Sequence, residues 1–147
     1  MPGTAVKNAG LKLLISAAPG GAATVLVDGV NDLSGFGLPT RKEIDVTALS
    51  DTWRRRIKGL KDGGQITISG QFRPSDPGQR LLAGAVNSDS AFGFRVELAD
   101  SKGTNNSSFS FFAQVLSYAP ASSKVDDVIP FKATISVDGP TQFTAAA

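Results

Sequence analysis

The chain has 147 residues, 41% of them hydrophobic and 19% charged, with 16 Gly, 8 Pro, no Cys and no His. That length suits one ordinary domain able to bury its own core, and the missing thiols and imidazoles exclude disulfide frameworks, the usual zinc sites, Cys nucleophiles and every triad that uses His as base. With 15 Lys+Arg against 13 Asp+Glu the formal charge is +2, too small a surplus for a polybasic nucleic-acid binder.

No apolar run approaches the roughly 18 residues needed to span a bilayer. The amino end, Met1-Pro2-Gly3-Thr4, lacks the basic patch and uninterrupted apolar core of a secretory signal. The chain is therefore expected to be soluble and to be made and used in a cytoplasm.

In chain order, the apolar runs 12–16 and 24–27 flank Pro19-Gly20-Gly21, a turn signal that predicts a hairpin. Ile44 and Val46 alternate with Glu43, Asp45 and Thr47, and Ile66, Ile68, Gly70 and Phe72 alternate with Thr67, Ser69 and Gln71, so both stretches read as strands with one buried face. Only the first of these is convincing between residues 27 and 65, and the connection 48–64 exceeds the roughly 12–15 residues common inside a compact domain. That connection holds the single Trp, Trp53, and a short helix opened by Ser50 or Asp51 is one reading of it, because Leu49, Trp53, Ile57 and Leu60 fall at helical spacing.

A firmer helix signal follows. Asp76 can cap, Pro77 suits the first helical position, Gln79 can close a capping box, and Leu81, Leu82, Ala85 and Val86 form an apolar stripe. Phe92, Phe94, Val96 and Leu98 make the next strand, and the turn-rich stretch 100–106 joins it antiparallel to a strand containing Phe109, Phe111, Phe112, Val115, Leu116 and Tyr118. Large apolar groups on both faces make that strand central, either covered on both sides or meeting a partner. Phe131, Ala133, Ile135 and Val137 complete a set of seven strands. The expected class is mainly β: an antiparallel β-sandwich or open barrel of about seven strands, with one flanking α-helix and no second domain.

Candidate chemistry is sparse. Glu43 and Asp45 share a strand face about 6.5–7 Å apart, within the carboxylate separation of inverting glycosidases, but such pairs normally flank a cleft from two elements, so no catalytic residue is assigned. Asp126-Asp127 reads as a solvated loop without enough further acids for a metal, and Gly35-Phe36-Gly37 lacks the Lys-Ser/Thr ending of a phosphate loop. No cofactor is implied. Arg54, Arg55 and Arg56 suit ion pairing across a protein interface better than nucleic acid, because Asp51 and Asp62 bracket them and no further aromatics interleave. Trp53 reads as a sugar-stacking platform, a core plug or an interface anchor, and the enrichment of Trp and Arg at interface hot spots favours the anchor.

Taken together, the order of features resembles the major tail tube proteins of long-tailed bacteriophages. The resemblance is carried by Ile44-Asp45-Val46-Thr47-Ala48-Leu49-Ser50-Asp51, by Arg56-Ile57-Lys58-Gly59-Leu60-Lys61-Asp62-Gly63-Gly64-Gln65-Ile66, and by residues 74–82 with Gln79. It continues through Phe112-Ala113-Gln114-Val115, residues 127–131 and Val137-Asp138-Gly139, covering about residues 11–143.

The resemblance implies a single tail-tube domain over 1–147 that assembles into hexameric rings stacked as a hollow tube in the virion tail, built in the bacterial host cytoplasm. Residues 1–10 are then an amino-terminal arm, 30–64 extended assembly loops around one strand, and 144–147 a tail, without the immunoglobulin-like domain some relatives carry. Implied partners are further copies of itself, the tape measure protein, tail terminator and tail tip proteins, and double-stranded DNA passing without specific binding. By position, Leu49, Asp51, Trp53, Arg54, Arg55, Arg56, Ile57 and Leu60 are expected at the contact between rings. Glu43, Asp45 and Thr47, or Thr67, Ser69 and Gln71, are candidates to line the lumen, since neutral or acidic faces do not hold phosphate. The alternative is a carbohydrate- or protein-binding β-sandwich module with Trp53 as the stacking residue.

Overall fold

The computed structural model describes residues 11–36, 40–99, 106–121, 125 and 128–145. Among them are ten strands and one helix: β1 Lys12–Pro19, β2 Ala23–Leu26, β3 Val30–Ser34, β4 Thr40–Asp45, β5 Arg56–Asp62, β6 Gln65–Gln71, α1 Pro77–Ala85, β7 Phe92–Glu97, β8 Ser108–Pro120, β9 Pro130–Val137 and β10 Gln142–Thr144. Every pairing is antiparallel; the main sheet runs β2-β1-β7-β8-β9-β6-β3, with β10 beside the start of β8, while β4 and β5 form a separate ribbon.

The alternating residues close one core. Leu13 and Ile15 of β1, Phe94 and Val96 of β7, Phe111 and Val115 of β8, Ile135 of β9 and Ile66 and Ile68 of β6 are buried together, so both arms of the sheet turn their inner faces onto each other as a sandwich. The long strand β8 is central, as its composition implies, but its two apolar faces have different causes. A bulge between Val115 and Ser117 shifts the phase, so Tyr118 rejoins the inner face opposite Ala133. Phe112 and Leu116 stay outside and are exposed.

Helix α1 begins as anticipated: Asp76 is the N-cap, its carboxylate accepting from the Gln79 N–H at 2.9 Å, and Pro77 opens the first turn. The other half of the capping box does not form. The Gln79 side chain, 1% exposed, turns into the body. Its Nε2 donates to the Asp28 and Gln71 carbonyls at 2.7 and 2.9 Å, and its Oε1 accepts from the Arg73 N–H at 2.9 Å and the Tyr118 hydroxyl at 2.7 Å. All four hydrogen-bonding positions of one amide are thus used to tie the helix to the β2–β3 turn, the end of β6 and β8. Burial first, and then the Asp76 charge, raises the Tyr118 phenol above its ordinary 10.0. The helix packs close because residue 78 is glycine: a Cβ there would strike the Leu26 carbonyl and Val27.

Three strands exceed the seven expected. Residues 30–64 hold β3, β4 and β5 where one strand was foreseen, and no helix occupies 49–60. Gly59 explains part of the difference, because it sits in mid-β5 where a Cβ would crowd Ile44 and the Lys42 carbonyl, a close approach between paired strands. The third addition, β10, comes from the segment after Val137. Thr144 therefore belongs to a strand, while residues 1–10, 146 and 147 and the pair Asp126-Asp127 lie outside the described residues.

Candidate functional site

The ribbon of β4 and β5 has a definite register, with Thr40 opposite Asp62, Glu43 opposite Lys58, Ile44 opposite Ile57 and Asp45 opposite Arg56. Apart from its sister strand, neither strand has an extensive contact with any other element. Every residue of β4 is exposed, and in β5 only Gly59 is half-covered. At its root, Gly63 rests on the Val137 side chain with no room for a Cβ, and Gly64 takes a left-handed φ of 73° with open space around it. The ribbon is an arm mounted on the sandwich by a glycine pair.

Its far end is an ordered turn. Asp45 Oδ1 accepts from the Thr47 N–H at 2.9 Å and from the Thr47 hydroxyl at 2.6 Å, the same hydroxyl accepts from the Arg55 N–H at 2.9 Å, and Asp51 Oδ2 accepts from the Ala48 N–H at 2.8 Å. The two Thr47 donors hold the Asp45 carboxyl below its ordinary 3.8. What this turn presents is apolar: Trp53 is 83% exposed and Leu49 fully exposed, while Leu60, 93% exposed, stands near the root end of β5. Trp53 is therefore no core plug.

The structure brings the two acidic candidates of this arm to basic partners. Arg56 Nε lies 2.7 Å from Glu43 Oε1 and Arg54 Nη1 3.5 Å from Asp45 Oδ2, so the Glu43–Asp45 face is charge-compensated rather than acidic. Arg41 spends its guanidinium on the Gly59 carbonyl at 2.8 Å. Arg55 is exposed, and Leu49, Asp51, Trp53, Arg54, Arg55, Arg56, Ile57 and Leu60 all lie on this arm, Asp51 alone being half-covered.

The second candidate face belongs to the sandwich. Thr67, Ser69 and Gln71 point away from the core on β6; Thr67 stands between Ser34 and Thr134, and Ser69 between Asp32 and Lys132. Hydroxyls flanked by one acid and one base make this face close to neutral. It shares no strand pairing with the arm.

Sequence reasoning missed the Gln79 junction. The signal was present in the Asp76-to-Gln79 spacing, but the capping-box reading assigned that amide to the helix end.

The comparisons agree with this architecture. A family model described as phage tail tube, TTP, lambda-like, matches residues 4–147. Among curated protein sequences no match is found. Among solved structures, a chain of the virion of the native gene transfer agent particle is similar with a TM-score of 0.70 at 18% identity, covering 96% of this chain and 100% of that one. A chain of the sheath-tube complex of the extracellular contractile injection system PVC in its extended state gives 0.72 at 13% identity over 97% and 93%. The SPP1 tail tube gives 0.68 at 14% identity over 96% and 81%. At these identities the likeness is one of fold.

Proposed function

The chain belongs to the lambda-like phage tail tube family, and from that premise we propose that it self-assembles into hexameric rings stacked as the hollow tube of a virion tail, through which double-stranded DNA passes. The role is structural, with no catalytic step and no cofactor. The observation that carries the reading is the β4–β5 arm, an ordered projection whose Trp53, Leu49 and Leu60 find no cover in their own subunit. Apolar groups held rigidly in solvent are stabilised when a second surface removes them from water.

Geometry requires several copies. Even barrels of about 16–18 strands enclose only a solute-sized channel, so one subunit, with ten strands among its described residues, cannot surround a duplex. A closed ring of heterologous contacts supplies the missing wall, and stacking of rings supplies the length. We assign the ring-to-ring contact to Leu49, Asp51, Trp53, Arg54, Arg55, Arg56, Ile57 and Leu60. The lumen is assigned to the face of Thr67, Ser69 and Gln71, whose near-neutral surface releases few counterions from DNA and so does not retain it. Glu43, Asp45 and Thr47 are the weaker lumen candidates, because Arg54 and Arg56 neutralise their carboxylates. Assembly in the host cytoplasm around a tape measure protein, with terminator and tip proteins at the ends, completes the reading.

Electron microscopy and sedimentation over rising protein concentration test it. Rings or hollow tubes are expected. A strictly monomeric species whose Trp53 emission responds to added glycans would overturn the reading in favour of a carbohydrate-binding module.

A further inference from the structure

Four depressions on the described surface are candidate receptors for the apolar end of the arm. The one beside Leu11 and Phe36 measures about 110 Å³, too small for an indole with its neighbours. One of about 370 Å³ beside Phe112 has no acid in its lining and holds Arg95, itself paired with Glu97, and one of about 540 Å³ on the arm itself sets Arg41, Lys42, Arg56 and Lys58 against the single acid Glu43, already paired with Arg56, so neither has a carboxylate to spare for an incoming Arg54 and Arg55. The fourth, about 860 Å³, lies where the arm joins the sandwich. Leu60, Val137 and Pro140 supply its apolar wall, Asp62 and Asp138 its acids, and Thr141 its rim, with Lys61 the one cation.

From this pairing of shape and charge we infer that the arm's end, Trp53 with Arg54 and Arg55, docks in the Leu60–Val137–Pro140 depression of a second copy of this chain. The inference rests on the tube reading and specifies its contact. Trp53 cannot reach the depression of its own subunit: the intervening stretch of β5 is extended and holds the two roughly 20 Å apart. The contact is therefore between unlike surfaces, end to root, and it leaves each copy with a free end and a free root. Such a contact propagates instead of closing as a two-fold dimer. Trp and Arg entering an apolar, acid-rimmed depression are the side chains that dominate interface energetics.

Because the wild-type chain has no Cys, cross-linking tests the contact cleanly. In a Thr52→Cys/Thr141→Cys variant both anchors remain, and mild oxidation of assembled material is expected to give a ladder of covalent oligomers on non-reducing gels. Tubes that form without a ladder overturn the docking and leave the tube reading intact. Wild-type protein that never assembles removes the tube reading itself.

Charge reversal provides a second, independent measurement. Asp138→Lys is expected to raise the concentration needed for assembly about tenfold or more and to abolish the blue shift of Trp53 emission on assembly, and Arg55→Asp added to it is expected to restore much of both. Asp138→Lys tubes forming at the wild-type concentration with the same blue shift would refute the inference. Circular dichroism confirms that each variant remains folded.

Discussion

The sandwich body and the β4–β5 arm are built from the same kind of strand, with opposite outcomes. In the body, alternation places Phe94, Ile68 and Ile135 beyond the reach of water. In the arm, alternation has no second layer to meet, and Ile44, Ile57 and Trp53 remain exposed. Regular hydrogen bonding alone therefore says little about stability; the buried face decides it. A subunit can keep one part ready for other copies only when the remaining part folds without it.

Breaking the body carries the largest effect. Phe94→Ala removes a ring stacked 5.9 Å from Phe111, and is expected to cost about 3–5 kcal/mol in urea unfolding. Gln79→Leu keeps the volume but strands the Arg73 N–H and two carbonyls in the interior, for an expected cost of about 2–4 kcal/mol in the same experiment. On the arm the expectation reverses. Trp53→Ala should change monomer stability by no more than about 0.5 kcal/mol while abolishing tube growth, and global unfolding of this variant in circular dichroism would erase the distinction between the two regions.

The smallest expected effect is a pH response confined to the arm's end. The Thr47 donors lower the Asp45 carboxyl below 3.8, so the carboxylate's contribution to the turn is complete above that pH and is lost as pH falls through the lowered value. Protection of the Thr47 and Arg55 amides relative to their intrinsic exchange should fall there, and Asp45→Asn should remove the pH dependence. Exchange in β6 and β9 should not follow it.

Legibility in the sequence divides along the same line. Body strands announced themselves because one buried face imposes period two, and Asp76-Pro77 announced α1 because free N–H groups need a cap. Strand β5 was hidden because Arg-Ile-Lys-Gly-Leu-Lys-Asp buries nothing, which leaves no periodicity to read, and the chance helical spacing of Leu49, Trp53, Ile57 and Leu60 filled the gap. Strand β3 was missed because a bulge between Val30 and Asp32 puts its two half-buried residues, Val30 and Leu33, out of period two, and β10 because three exposed residues show no period. The residues proposed for the interface were singled out by type, Trp among Arg, whereas the ion pairs that neutralise Glu43 and Asp45 depended on a strand pairing the sequence did not reveal.

The contact between Gly63 and Val137 sets the angle of the arm on the sandwich. A tilt of about 10° at the base of a lever roughly 20 Å long displaces its end by about 3–4 Å, nearly one strand residue. In the proposed tube such a change, repeated from layer to layer, would alter helical pitch, and it would originate at a position with no side chain at all.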